Sequence, residues 1–174
     1  MSTARSPYAE RLAEVAVSRH VAIVDGVETT WWDYGPNDRP VDLVMVHGFR
    51  GDHHGLEPFV AALGPRVRVL IPDLPGFGAT RGFAGTADIG AYASWLSAFF
   101  STHASEASLL GHSFGSIVVA AARAAGLKVR ATILVNPIAA NALQGPRGVM
   151  TKLAVGYYAL SAKLPERWGY ALLR

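Results

Sequence analysis

Cysteine is absent from the 174 residues of this chain. That absence excludes disulfides and thiolate metal sites, and it is compatible with a reducing compartment. Charged residues are also sparse, at 17% against 51% hydrophobic residues, so the composition is that of a globular protein and not of a disordered one. The net charge of +3 is too small and too scattered to indicate a nucleic-acid-binding surface.

Long apolar runs are missing as well. The first 17 residues are interrupted by charges at Arg5, Glu10, Arg11 and Glu14, which leaves no apolar core for a signal peptide. The longest apolar runs, such as IVVAAA at 117–122, are far too short to cross a bilayer. We therefore expect a cytoplasmic protein with no membrane span.

Apolar and β-branched runs alternate with helical patterns along most of the chain. Asp25-Gly26 favours a two-residue hairpin turn between two opening strands. Buried strands are predicted near 41–46, 66–71, 107–111 and 129–135, and helices near 55–63, 87–103 and 114–125. This alternation predicts an α/β fold with a mostly parallel sheet and helices on both faces. From residue 137 onward the apolar spacing is helical, and no further strand is predicted.

The stretch LLGHSFG at 109–115 places a serine between two glycines, after a predicted strand and before a predicted helix. G-x-S-x-G in that context is typical of a nucleophile elbow, in which the serine sits in a strained backbone conformation at a very sharp turn. Gly111 and Gly115 are needed because a Cβ at either position would collide with the neighbouring strand and helix. Ser113 is therefore the candidate nucleophile. The alternative is a glycine-rich turn without chemistry.

The strand at 41–46 runs into HGFRG, where a backbone N–H can lie beside the serine. Two backbone donors aimed at a developing oxyanion stabilise acyl transfer, and the amides of Phe49 and Phe114 are the candidates. His47 is a candidate base, but a histidine at this place more often bonds to the backbone. We therefore predict that His47 and Gly48 shape the loop.

The motifs VHGFRG, PDLPGFG and GHSFG, in this order and at this spacing, resemble the α/β-hydrolase superfamily over residues 20–137. The resemblance implies Ser113 as nucleophile and the amides of Phe49 and Phe114 as oxyanion hole. It also implies that Asp73 orients loops and is not catalytic. In domain terms, 1–136 would be the N-terminal part of the hydrolase core and 137–174 the start of a helical cap.

In this family the catalytic acid and histidine follow the serine along the chain. After Ser113 there is no histidine, no aspartate, and one acidic residue, Glu166. Residues 114–174 hold 8 Lys and Arg against that one glutamate, whereas residues 1–113 hold 8 against 12. We therefore expect an incomplete fold that continues for roughly a hundred residues more, the length such domains commonly reach, or that is completed by a second chain. A truncated, non-catalytic module is the remaining alternative.

The expected function is hydrolysis of esters or related acyl compounds through an acyl-Ser113 intermediate, with the 174-residue chain alone inactive. Carbon–carbon bond hydrolysis or perhydrolysis at the same serine, and a non-catalytic binding module, are the alternatives. The expected partners are a small-molecule substrate and the missing C-terminal segment or second chain, with a homodimer left open.

Asp52, His53 and His54 form the one cluster that suggests a metal site. Adjacent histidines on a loop point in different directions, and the sequence shows no second cluster to join them. We therefore expect a solvated loop near the mouth of the site, with no metal and no cofactor. Arg50 is expected to line the entrance.

Overall fold

The computed structural model of this protein describes residues 7–137. Its six strands are β1 (Val17–Val24), β2 (Val27–Tyr34), β3 (Leu43–Val46), β4 (Val69–Pro72), β5 (Ser108–His112) and β6 (Thr132–Val135). Its helices are α1 (Ala9–Ala13), a 3-10 turn (His53–Leu56), α2 (Glu57–Leu63), α3 (Ile89–His103) and α4 (Phe114–Ala124). None of these helices is long and apolar enough to span a bilayer.

The strands form one sheet in the order β1-β2-β4-β3-β5-β6. The pairs β3–β4, β3–β5 and β5–β6 are parallel, and the β1–β2 and β2–β4 pairs are antiparallel. The predicted α/β fold with a mostly parallel sheet is therefore confirmed. The antiparallel edge begins at the hairpin, where Asp25 and Gly26 have φ of 47° and 76°. Those positive angles are the ones a two-residue hairpin turn requires.

Two apolar cores cover the two faces of the sheet. One packs α3 and α4 against the sheet around Trp95, Phe99 and Val118. The other packs α2 and the 3-10 turn against the opposite face around Met45, Leu56 and Ile71. Strand β3 contributes to both cores and is fully buried, which explains why its sequence is apolar at every position.

The observed elements agree with the predicted ones within a few residues at most ends. The strands predicted at 66–71 and 129–135 begin later, at Val69 and Thr132. Helix α1 was not predicted, because it is a single short turn with no buried residue. The predicted cap, 137–174, lies outside the described residues except for Pro137.

Candidate active site

Ser113 lies between the last residue of β5 and the first residue of α4. Its backbone has φ 52° and ψ −116°, which is rare for any residue other than glycine. A residue held there costs of order 1–3 kcal/mol and persists only when its surroundings impose it. The prediction that Ser113 occupies a strained conformation at the end of the third parallel strand is confirmed.

Three glycines make room for this turn. A Cβ on Gly111 would lie 2.5 Å from the Gly115 carbonyl oxygen, and a Cβ on Gly115 would lie 2.3 Å from the Val46 carbonyl oxygen. A Cβ on Gly48 would lie 3.3 Å from the Cβ of Ser113. The first two positions admit only glycine, because the atoms in the way belong to the backbone. The third contact shows that the loop after β3 runs directly against the serine.

The loop after β3 brings Phe49 to the elbow. The rings of Phe49 and Phe114 make an edge-to-face contact with centroids 6.0 Å apart. Within residues 7–137, neither the Phe49 nor the Phe114 amide donates a hydrogen bond. Phe114 also begins α4, and the first N–H groups of a helix favour negative charge. Both amides are thus uncommitted donors near Ser113, and their role as oxyanion hole stays a prediction.

His47 is 1% exposed, and both of its ring nitrogens are engaged with the backbone. The Leu74 amide donates to its Nε2 at 2.8 Å, so Nδ1 carries the proton and donates to the Gly48 carbonyl oxygen at 2.8 Å. Burial lowers the pKa of this imidazole, which keeps it neutral. A ring held in this way ties the loop after β3 to the loop after β4 and has no free nitrogen to accept a proton from Ser113.

All six histidines lie within the described residues, and none of them hydrogen-bonds to Ser113. His112 precedes the serine, and its Nδ1 lies 3.4 Å from the Cβ position of Gly48. His103 packs against Trp31 and Phe99 on the core side of α3. Ser113 therefore has no hydrogen-bonded histidine among these side chains.

Asp73 follows β4 and is completely buried. Its Oδ1 accepts the His53 amide at 2.9 Å, and its Oδ2 accepts the Ala79 amide at 2.7 Å. Burial raises the pKa of this carboxyl, but the His53 side chain and these two amides outweigh burial and leave the pKa below its ordinary value. A Cβ on Gly78 would collide with the same carboxylate. Asp73 thus holds together the loops that follow β3 and β4.

The expectation of a solvated loop at Asp52–His54 is wrong for His53. That imidazole is 6% exposed and stacks on the Trp32 indole with ring centroids 3.3 Å apart. It is buried because the loop folds back over β2, where Trp32 offers a flat apolar surface. His54 remains exposed, as expected.

Glu57, which was not predicted from the sequence, lies beside these two histidines. Donor atoms of His53, His54 and Glu57 lie within 4.8 Å of one another, a grouping that could hold a metal ion. The His54 Nδ1 lies 3.0 Å from Glu57 Oε1, and the Tyr34 hydroxyl donates to the same oxygen at 3.1 Å. Burial and the Glu57 carboxylate raise the pKa of Tyr34, so its hydroxyl stays protonated. The Oε1 atom of Glu57 is already engaged by protein groups, which favours a hydrogen-bonded cluster.

Further aromatic side chains from the loop after β4 and from α3 join Phe49 and Phe114. The Phe49 and Phe77 rings lie 5.5 Å apart, the Tyr92 and Phe114 rings also 5.5 Å, and the Phe83 and Tyr92 rings 5.0 Å. All of these contacts are edge-to-face. The sequence analysis did not single out Phe77, Phe83 or Tyr92. One sequence signal could have pointed to Phe77. It lies in the motif PGFG, and this motif follows β4, whose carboxyl end lies at the same edge of the sheet as that of β5.

A family model described as the alpha/beta hydrolase family matches residues 43–173, more than half of the chain. Among curated proteins, the magnesium-chelatase 30 kDa subunit of Rhodobacter capsulatus is 39% identical over 71 residues. That alignment covers 40% of this chain and 23% of the relative.

Solved structures show the same fold. A bacterial membrane phospholipase A has a TM-score of 0.68 and 24% identity, covering 94% of this chain and 59% of that one. The epoxide hydrolase CorEH has a TM-score of 0.68 and 19% identity, covering 91% of this chain and 56% of that one. The chain thus spans less than two thirds of the length of these relatives, and at such identities the likeness establishes the fold alone.

Proposed function

The chain belongs to the alpha/beta hydrolase family, and from that premise we propose that it carries the nucleophile of a serine hydrolase of esters or related acyl compounds. The observation that carries the proposal is the backbone of Ser113, held at φ 52° by glycines whose Cβ atoms the fold would not admit. A strained serine at a strand-to-helix turn presents its hydroxyl outward. The absence of cysteine supports a cytoplasmic location for this enzyme.

In the proposed reaction, Ser113 Oγ attacks the substrate carbonyl carbon while its proton passes to a general base. The carbonyl oxygen becomes an oxyanion and accepts hydrogen bonds from the amides of Phe49 and Phe114. When this intermediate collapses, the bond to the alcohol oxygen breaks, the alcohol takes the proton from the base, and acyl-Ser113 remains. Water then loses a proton to the same base and attacks the acyl carbon. The acid leaves, and the base returns the proton to Ser113 Oγ.

We propose that the base is none of the histidines of this chain. His47 is committed through both nitrogens, and none of the six histidines hydrogen-bonds to Ser113. We propose that a further C-terminal segment or a second chain supplies the histidine and its acid. A segment added beside β6 would satisfy this geometry, because β6 ends at the same sheet edge as β5 and has exposed apolar residues, Ile133 and Leu134.

Two alternatives share these observations. Carbon–carbon bond hydrolysis or perhydrolysis would use the same serine with a different substrate. A non-catalytic binding module would keep the fold without the turnover. Within residues 7–137 the amides of Phe49 and Phe114 donate no hydrogen bond, and this favours an enzyme, because a binding module has no need of two free donors beside a strained serine.

The test compares turnover of a panel of p-nitrophenyl esters by residues 1–174 and by the longest natural protein that contains them. We expect almost no turnover from residues 1–174, because loss of the base costs several orders of magnitude. In the longer protein, Ser113→Ala should reduce kcat by about 10⁴-fold or more. Ser101→Ala, an exposed serine on α3, is the control and should leave kcat unchanged. Turnover that survives Ser113→Ala would refute the proposal.

A further inference from the structure

Beside Ser113 lies a continuous row of aromatic rings, which we call the aromatic wall: Phe83, Tyr92, Phe114, Phe49 and Phe77. Each ring touches the next, with centroid separations between 5.0 and 6.0 Å and interplanar angles between 70° and 88°. Edge-to-face contacts of this kind are the preferred geometry of aromatic pairs. The row is an ordered surface and not a chance group of apolar side chains.

The wall is adjacent to the candidate nucleophile. Phe114 follows Ser113 directly, and Phe49 follows Gly48, whose Cβ position lies 3.3 Å from the Cβ of Ser113. The outer end at Phe77 lies above the His47 ring, at 6.0 Å between centroids. A group attached to a carbonyl at Ser113 would therefore meet these rings first.

Part of the wall is open to solvent. Phe49 is 66% exposed, and Phe77, Phe83 and Phe114 are half-buried. The other strongly exposed large apolar side chains within residues 7–137 are all aliphatic, namely Val17, Val21, Ile23, Leu63, Ile133 and Leu134. Tyr92 forms the inner part of the wall, because its hydroxyl is already bonded to the Pro75 carbonyl oxygen. Within residues 7–137, the one strongly exposed aromatic side chain is thus Phe49, which lies beside Ser113, where a ligand would meet it.

We infer that the aromatic wall selects substrates that carry an uncharged aromatic ring close to the scissile carbonyl. This inference rests on the proposed function for the position of that carbonyl. None of the five side chains carries a charge, and the neutral His47 lies beneath the wall, so nothing in it recognises an ionised group. Open ring faces and edges offer an aryl group edge-to-face contacts that an alkyl group of equal size cannot make.

The test uses a matched pair of neutral, unreactive ligands, 2-phenylacetamide and 2-cyclohexylacetamide. The cyclohexyl compound has the larger apolar surface, so burial alone would make it bind as tightly or more tightly. Edge-to-face contacts reverse that order, and we expect the phenyl compound to bind at least about 3-fold more tightly by calorimetry. Equal affinities, tighter binding of the cyclohexyl compound, or no binding of either at about 10 mM would overturn the inference.

Variants locate the preference. Phe77→Leu and Phe49→Leu should bring the ratio of the two affinities close to one, and neither change alters a backbone donor. Phe59→Leu is the matched control. Phe59 is also half-buried, but it is a residue of α2 and packs against the core on the opposite face of the sheet. Its ratio should equal that of the unchanged protein. A ratio that Phe77→Leu and Phe49→Leu both leave intact would also overturn the inference, since the ligand would then bind elsewhere.

Ser113→Ala separates this inference from the proposed function. Binding of the amides needs no chemistry, so the preference for the phenyl compound should persist in Ser113→Ala. If turnover in the longer protein proves independent of Ser113 while the preference persists, the proposed function fails and the wall remains a binding surface. If turnover needs Ser113 but the preference is absent, the wall fails and the proposed function stands. If another segment of this chain covered Phe49, neither amide would bind, and the inference about the aromatic wall would be wrong.

Discussion

The hairpin and the elbow each place a non-glycine residue at positive φ, and they do so for different reasons. At the hairpin, Asp25 has φ 47°, and a Cβ on Gly26 would meet nothing within 4 Å. At the elbow, Ser113 has φ 52°, and a Cβ on Gly115 would lie 2.3 Å from a carbonyl oxygen. Glycine at the hairpin supplies an allowed backbone angle, whereas glycine at the elbow supplies space.

The difference shows where the fold tolerates strain. Asp25-Gly26 is exposed, and its angles are those that a two-residue hairpin adopts without external support. Ser113 is held by its surroundings: its amide donates to the Val135 carbonyl oxygen of β6, and its own carbonyl oxygen accepts the Ser116 amide of α4. Strain imposed by a packed scaffold is typical of functional positions. The hairpin therefore serves as an internal reference for the elbow.

The largest effect is expected for Gly115→Ala. The added methyl group would lie 2.3 Å from the Val46 oxygen and 2.6 Å from the His47 oxygen, and both atoms belong to the backbone. We expect the free energy of unfolding to fall by about 3 kcal/mol or more, the upper end for overpacking, because the colliding atoms belong to the backbone. Helix propensity alone would predict that the same change raises the free energy of unfolding by roughly 1 kcal/mol. A denaturant titration distinguishes the two, because a collision lowers this free energy and helix propensity raises it.

Gly55→Ala is the matched control, since Gly55 has open space around its Cβ position and no positive φ. The free energy of unfolding of the Gly55→Ala variant should stay within about 0.5 kcal/mol of that of the unchanged protein. A loss for Gly115→Ala no larger than that would contradict the spatial role of the elbow glycine.

A smaller effect is expected for Gly26→Ala at the hairpin. The methyl group meets no atom, so the cost is that of left-handed backbone alone, about 1–2 kcal/mol. Gly26→Asn should cost less, because asparagine tolerates this region. Binding at the aromatic wall should be unchanged in both variants. A loss at Gly26→Ala equal to that at Gly115→Ala would remove the distinction between the two turns.

The smallest effect concerns pH. The pKa of His47 is lowered by burial below its ordinary 6.5, so the unfolded chain takes up a proton first as the pH falls. The contribution of His47 to the free energy of unfolding is therefore fully present above about pH 6.5. Below that pH it declines, by at most about 1.4 kcal/mol per pH unit for one proton. His103 changes stability with pH in the same direction, since burial and the nearby His20 lower its pKa.

His47→Gln should make this pH dependence shallower between about pH 6.5 and 5, because glutamine keeps an acceptor for the Leu74 amide but has no proton to bind. The measurement is the free energy of unfolding at several pH values. An unchanged slope would show that His47 does not contribute, and that the anchoring of the loop after β3 is insensitive to protonation.

Much of the scaffold was predictable because its signals are local. The hairpin followed from Asp25-Gly26, and the buried strand β3 followed from an unbroken apolar run. Helix α1 was missed because one turn with no buried face has no periodicity to detect. His53 was misplaced because a histidine on a polar stretch carries no local sign that Trp32, 21 positions earlier, will cover it.

What the sequence by itself determined is the elbow. The spacing of Gly111, Ser113 and Gly115 between a strand and a helix indicates this turn, since a Cβ at either glycine would collide with the backbone of the neighbouring strand or helix. Only the tertiary structure decided which side chains surround Ser113. Rings from the loops after β3 and β4 and from α3 and α4 meet there because the carboxyl ends of the parallel strands share one edge of the sheet. Contacts between segments so far apart along the chain depend on how the loops pack, and no local pattern records them.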